Sequence, residues 1–471
     1  MDRRTFLAAA PLAFSARRRP PNIVFIMADD LGYGHVGCYG QRVIRTPNID
    51  KLATEGTRYT DAYAGCTVCA PSRSVLMTGL HSGHTSVRSN PGGVPLLAED
   101  VTVAQVLHKA GYVSGLFGKW GLGDEGTTGV PNKHGFDEFF GYLNQVHAHI
   151  YYPEFLYRNE QRYPLPGNAN HKRGQYAHDV IFDRALDFVR RYKDRPFFLC
   201  ATPTLPHWEL VVPEDSLREY RGRFPETPFR DPGGHYSSQD YPRAAFAGMV
   251  TRLDRDVGRM MALLRELGLE QDTIVFFTSD NGAQMIEEGF PNQVDTGSFF
   301  HGGGPFRDYK GNMYEGGIRV PMIVRWPGRI RAGAVSDFPW AFWDVLPTFA
   351  ALAGVEAPRG IDGISVAPML TGEGRQQRHE FLYWENPRYR RGTFLKETPM
   401  QAVRMGDWKA VRPRPDGPLE LYSLKDDIAE TTNVAAKHPE VLAKIEAYLK
   451  TARTEPRPQS GPPTDWWKKS S

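Results

Sequence analysis

Pro21-Asn22-Ile23-Val24-Phe25-Ile26-Met27-Ala28 runs through apolar and β-branched side chains and stops at Asp29-Asp30-Leu31-Gly32-Tyr33-Gly34. A strand with one solvated face alternates apolar and polar residues. An almost unbroken apolar run of this length instead predicts a strand covered on both faces, the pattern of a parallel sheet. Two adjacent carboxylates at the carboxyl end of such a strand, in a loop that glycine lets bend, supply the oxygen ligands that a hard divalent cation takes. The alternative reading of the same pair is a plain turn or helix N-cap.

The pattern repeats outward from that strand. Residues 46–53 open a helix with Pro47 in its first turn, and 58–64 read as a strand. Residues 101–110 read as an amphipathic helix closed by Gly111, and 112–117 as a strand. The stretch 176–192 carries Ile181, Ala185, Phe188 and Val189 on one helical face, and 196–201 is again a buried strand. From 241 to 267, Ala245, Met249, Leu253, Val257, Met260 and Leu264 recur at helical spacing before the strand 273–279. Residues 322–328 then read as a strand and 342–353 as a helix. Strand, helix and strand in alternation predict an α/β fold. After about Asp362 the texture changes to short aromatic segments at 381–384, 401–404, 408–411 and 420–423 between polar turns, followed by a helix over 440–449. That is the pattern of a small antiparallel sheet with a helix. The division expected is an N-terminal segment 1–20, a main domain 21–361, an α+β subdomain 362–458 and a mobile tail 459–471.

At 471 residues the chain exceeds one ordinary domain, which agrees with a large core plus an appendage. A net charge of only +3, with lysine and arginine scattered, offers no stripe for nucleic acid. Asp2-Arg3-Arg4-Thr5-Phe6-Leu7 before a short apolar run at 8–14 resembles a twin-arginine export signal and is too short to span a bilayer; a frayed basic tail is the alternative. The signal reading implies the twin-arginine machinery as a partner, a periplasmic or secreted location and no transmembrane segment. Four cysteines make no disulfide framework in a chain of this size.

Chemistry-bearing residues gather at predicted strand and helix ends. Cys66-Thr67-Val68-Cys69-Ala70-Pro71-Ser72-Arg73 sets a cysteine at a helix start, where exposed N–H groups and the dipole favour anions, and Arg73 adds a guanidinium. Gly118-Lys119-Trp120-Gly121 follows one strand, and Pro206-His207 follows another. Asp280-Asn281-Gly282 ends the strand 273–279 much as Asp29-Asp30 ends the first, so four oxygen ligands from two strand ends can converge on one cation. Lys310 lies in a glycine-rich loop that continues into Glu315-Gly316-Gly317-Ile318-Arg319, where Glu315 and Arg319 read as a structural ion pair. His147 and His149 share an aromatic loop, and 215–240 reads as a polar surface insertion that shapes a substrate entrance.

The order Cys69-Ala70-Pro71-Ser72-Arg73, then Leu76, Thr78 and Gly79, resembles the signature of the type I, formylglycine-dependent sulfatases, and the chain is arylsulfatase-like in the order of its other motifs. That resemblance implies an alkaline-phosphatase-like central mixed β-sheet flanked by helices, with a small C-terminal antiparallel-sheet subdomain. It implies oxidation of Cys69 to formylglycine by a formylglycine-generating enzyme, with hydrolysis of a sulfate ester of a small molecule or carbohydrate. One hydroxyl of the hydrated aldehyde, polarised by a calcium ion, would attack sulfur. The implied metal ligands are Asp29, Asp30, Cys69, Asp280 and Asn281. Lys119, His207 and Lys310 would bind sulfate, Arg73 and Lys119 would support the nucleophile, and Asp280 would protonate the leaving alcohol. The family commonly has a histidine, assigned as base, where this chain has Gly121. His149 is the expected substitute, with a surface or packing role as its alternative. Two other functions fit these motifs: a phosphonate monoester or phosphodiester hydrolase on the same fold, and a non-catalytic glycan-binding protein with unmodified Cys69.

Overall fold

The computed structural model describes residues 19–90, 94–230, 236–284, 296–387, 389–390 and 393–457. All but two residues of the expected export signal, the tail at 459–471 and part of the polar insertion lie outside the described residues. Among the described residues, no helix is long and apolar enough to cross a membrane.

Asn22–Ala28 lies inside a sheet whose 10 strands run, edge to edge, as Ala334–Ser336, Thr57–Tyr59, Met322–Arg325, Thr273–Ser279, Asn22–Ala28, Phe197–Thr202, Val113–Lys119, Glu138–Tyr142, Phe155–Arg158 and Gln161–Pro164. From Thr273–Ser279 to Glu138–Tyr142 neighbouring strands are parallel. Met322–Arg325 and Phe155–Arg158 close this block with antiparallel pairings, so the sheet is mixed.

The continuous apolar run of the first strand is explained by its two covered faces. Val24, Ile26 and Ala28 pack into one core with residues of the helices Pro47–Glu55, Ala177–Tyr192 and Pro242–Glu266. Ile23, Phe25 and Met27 point the other way, toward the helices Cys69–Thr78, Val103–His108 and Val345–Ala353. Full burial of each large side chain in such a layer contributes roughly 1.5–3 kcal/mol relative to exposure. Successive residues alternate between these cores because the strand period is two.

Several expected boundaries differ; the strand expected over 322–328, for one, ends at Arg325. The strand expected over 58–64 divides into Thr57–Tyr59, in the main sheet, and Ala62–Tyr63, which pairs with Trp340–Ala341. The helix expected over 101–110 is limited to Val103–His108, because Thr102 and Gln105 form a capping box at its start. The helix expected from 342 opens with a 3-10 turn, Phe342–Asp344, before Val345–Ala353.

The C-terminal antiparallel sheet has the order Leu382–Asn386, Met400–Met405, Trp408–Arg412, Glu420–Ser423. Tyr383, Val403, Ala410 and Leu421 form a small core with Val441 and Ile445 of the helix Pro439–Leu449. The alternate residues Trp384, Ala402, Val411 and Tyr422 join the main body's core.

Candidate active site

The parallel strands share one direction, so the residues that follow their carboxyl ends collect along one edge of the sheet. Gly118 lets two of these ends close: a Cβ there would lie 2.0 Å from Thr202 O. Across that contact the Thr202 hydroxyl donates to Lys119 O at 2.8 Å. Asp30 adopts a left-handed backbone (φ 63°), held by its N–H donating to Asp280 Oδ1 at 3.1 Å. The next amide, Leu31 N–H, donates to Ser279 Oγ at 2.9 Å.

Cys69 is the first residue of the Cys69–Thr78 helix and is buried. Its thiol donates to Asp29 Oδ1 at 3.3 Å and lies 3.8 Å from Asp30 Oδ1. Lys119 Nζ donates to Asp29 Oδ2 and Lys310 Nζ to Asp30 Oδ2, each at 2.7 Å. Arg73 donates from Nη2 to Asp280 Oδ2 at 2.8 Å and from Nη1 to Lys119 O at 2.6 Å. His207 places Nε2 3.5 Å from Asp30 Oδ2. Its Nδ1 is 2.7 Å from Trp208 O, a carbonyl that can only accept, which assigns the proton to Nδ1.

These contacts set the charges. Burial alone would raise Asp29, but Lys119, His207, Arg73 and Lys310 hold its carboxyl well below the usual range. Asp280 goes the other way, pushed up to about 6 by burial and by the charge of Asp29, against the pull of Arg73. Burial, then Asp280 and Asp29, push the Cys69 thiol well up, so it stays protonated in this arrangement. Burial also lowers His207 to about 4.

Asp29, Asp30, Cys69 and His207 offer ligand atoms within 4.8 Å of one another. Asn281 donates from Nδ2 to Asp30 Oδ1 at 2.7 Å, while its Oδ1 is buried with no hydrogen-bond partner among the described residues. An orphaned buried oxygen beside two carboxylates fits a hard divalent cation, which would complete it. Asp280 belongs to the same centre, but Arg73 and the Asp30 amide already engage its two oxygens.

The two loop histidines separate in role. His147 is buried against Tyr142 and Phe155, with ring centroids at 5.0 and 4.8 Å, and burial pushes it down to about 3. His149 stacks on His207 with centroids 4.4 Å apart, beside the histidine expected to bind sulfate. Glu315 and Arg319 form the expected ion pair at 2.9 Å, within a buried network that also holds Tyr63 and Lys409.

The local sequence does not single out Gln145, which lies against Gly121. Gly121 has φ 78°, and a Cβ on it would lie 2.4 Å from Gln145 Nε2. The only signal was the glycine itself, whose absent side chain leaves space for another residue.

The sequence pattern of the family described as Sulfatase matches residues 21–355, and that described as N-sulphoglucosamine sulphohydrolase, C-terminal, matches residues 305–455. Arylsulfatase A of Homo sapiens is 35% identical over 442 residues, covering 86% of this chain and 77% of its own. N-acetylgalactosamine-6-sulfatase of Canis lupus familiaris is 34% identical over 437 residues, covering 86% of this chain and 74% of its own. The crystal structure of Ps i-CgsB matches with a TM-score of 0.78 at 28% identity, covering 96% of both chains. Its complex with k-i-k-neocarrahexaose matches at 0.76, with the same identity and coverage.

Proposed function

The chain belongs to the sulfatase family and is a sulfatase, and from that premise we propose that it releases inorganic sulfate from a sulfated carbohydrate through a formylglycine made from Cys69. The observation that carries this reading is the place of Cys69: the first residue of a buried helix, 3.3 Å from Asp29 in a centre shared with Asp30, Lys119 and Lys310. The carbohydrate part rests on relatives of this chain: the N-acetylgalactosamine-6-sulfatase and the hexaose complex of Ps i-CgsB.

Asp29, Asp30, Asp280 and Asn281, with residue 69 itself, would hold a divalent cation, calcium by family resemblance. When present, the cation and the formylglycine supply Lewis acidity and a hydroxyl nucleophile. The chain's own residues supply the remainder. Lys119 and Lys310 bring two ammonium groups to the centre, where they would bind sulfate oxygens and offset charge that grows in the transition state. His207, fixed by its Nδ1–H bond to Trp208 O, turns Nε2 into the same space. Arg73 braces Asp280 against the Lys119 backbone. Asp280 is assigned the proton for the leaving alcohol. His149, against His207, is assigned the base that resets residue 69.

The test is sulfate release from a panel of monosulfated sugars by protein made together with a formylglycine-generating enzyme. Release is expected from the wild type and none from Cys69→Ala, with an aldehyde at residue 69 seen by peptide mass spectrometry. Full activity from protein carrying only the Cys69 thiol would overturn the proposed nucleophile. Turnover of the sulfate and phosphonate esters of one phenol should favour sulfate; a large phosphonate preference would move the assignment to a phosphonate monoester hydrolase.

A further inference from the structure

Gln145 is only 3% exposed, yet neither Oε1 nor Nε2 has a hydrogen-bond partner among the described residues. Withdrawing an amide from water with both ends unsatisfied is unfavourable, and such groups are rare unless something else completes them. Its position is fixed from two sides. Gly121, two residues past Lys119, donates its N–H to Leu143 O at 2.9 Å, and a Cβ on it would meet Gln145 Nε2. A side chain at 121 and the Gln145 amide therefore compete for one space. On the other side, Gln145 and His149 are four residues apart in a turn tied by Ala148 N–H to Asn144 O and His149 N–H to Val146 O. His149 stacks on His207 and Gln145 meets Gly121, two residues past Lys119, so the turn touches two of the strand-end segments that enter the centre.

Chemistry selects the partner. Sulfate oxygens only accept, the lysines and Arg73 only donate, and a cation takes only the acceptor, so none of them satisfies both ends of an amide. A hydroxyl does both, whether of a water or of a substrate that displaces it. We propose that Gln145 binds a ring hydroxyl of the sugar beside the sulfate ester and so helps to select the substrate. This inference rests on the sulfated-carbohydrate reading above.

Gln145→Met keeps the length of the side chain and removes the amide. The formylglycine-bearing full-length enzyme is assayed with three probes: the panel sugar it hydrolyses best, that sugar's deoxy analogue lacking the hydroxyl adjacent to the sulfate, and 4-nitrophenyl sulfate. In Gln145→Met, kcat/KM for the sugar relative to 4-nitrophenyl sulfate should fall about 10-fold. The wild type should show a similar fall with the deoxy analogue, and the variant little further loss, because the two changes remove one interaction. Relief of the desolvated amide should raise the Tm of the free variant by about 1–2 °C. Should the Met variant not fold, Gln145→Asn, which withdraws the amide by one methylene, is expected to lose the same selectivity. An unchanged ratio, or an equal loss on sugar and aryl sulfate, would overturn the assignment alone. A wild type that hydrolyses 4-nitrophenyl sulfate but no sugar would overturn the carbohydrate reading and this inference with it.

Discussion

Arg73 gives Nε and Nη2 to Asp280 and Nη1 to the Lys119 carbonyl, so its fork is spent inside the protein. A lysine carries a single point charge and cannot span both partners. Arg73→Lys should lower kcat for sulfate release by about 100-fold or more by loosening Asp280 and Lys119. It should also destabilise the fold by about 1–3 kcal/mol, because the cation is kept but buried acceptors on Asp280 and Lys119 lose their donors. Steady-state kinetics and urea unfolding read the two effects separately. His147 gives a prediction in pH. Burial takes its ring down to about 3 from the usual 6.5, so the folded state binds this proton less readily than the unfolded chain. Its contribution is therefore complete above the unfolded pKa and declines as pH falls from about 6.5 toward 3. Urea midpoints of the wild type should fall more steeply between about pH 7.5 and 5 than those of His147→Phe. Parallel pH profiles for the two proteins would show that the ring is not kept neutral by the fold.

The strand Trp408–Arg412 carries Lys409, whose buried Nζ is 2.7 Å from Glu315 Oε1 and 3.4 Å from Glu430 Oε1. Glu315 also accepts from Arg319 at 2.9 Å and from the Tyr63 hydroxyl at 2.8 Å, so one carboxylate ties the C-terminal sheet to the main body. Burial, against the charge of Lys409, pushes Glu430 up to about 7. Lys409→Met should cost about 3–5 kcal/mol, since two buried carboxylates lose their shared cation. The loss should be smaller at pH 6 than at pH 8, as protonation of Glu430 relieves the repulsion. Denaturant titrations at both pH values measure it, and a pH-independent loss below about 1 kcal/mol would mean that the sheet docks through apolar contacts alone. This network also marks where the sequence stopped being legible. The Glu315–Arg319 pair is local and could be read from spacing, but Lys409 and Glu430 reach it only through tertiary packing. The strands Asn22–Ala28, Phe197–Thr202 and Thr273–Ser279 fall within a residue of their expected bounds, because a run covered on both faces leaves little choice. The division at 60–61 was hidden: Asp61 is held by Arg404 at 3.0 Å from a distant strand, and nothing in the local pattern announces that partner. In the site, Asp29, Asp30, Lys119, His207, Asp280 and Asn281 were visible because strand ends are where such folds place ligands. Gln145, proposed above to bind substrate, was not, because its place depends on a side chain that Gly121 lacks.

Five stretches distant in sequence meet in one buried centre where the Asp29, Asp30 and Asp280 carboxylates face Arg73, Lys119 and Lys310. These three ion pairs are 2.7–2.8 Å long, yet the Asn281 Oδ1 acceptor has no partner among the described residues, which is the physical reason to test for a cation in the intact protein. A ligand that binds only the native state stabilises it by RT ln(1 + [L]/Kd), about 2.7 kcal/mol at a concentration 100 times Kd. Treatment with EDTA should therefore abolish sulfate release and lower Tm together, and calcium should restore both, with Tm rising as the logarithm of its concentration. Magnesium should restore less, because the smaller ion demands near-ideal octahedral geometry and sheds water reluctantly. Asn281→Ala removes the unpaired oxygen without changing the charge. It should move the calcium dependence of Tm to higher concentration by about 10- to 100-fold, the loss typical of even an outer-shell partner. Since that shift is read in a melting curve, it does not depend on whether residue 69 has been converted to the aldehyde. An unchanged Tm across the calcium titration, in both wild type and Asn281→Ala, would remove the cation from this centre and leave its carboxylates to Lys119, Lys310 and Arg73.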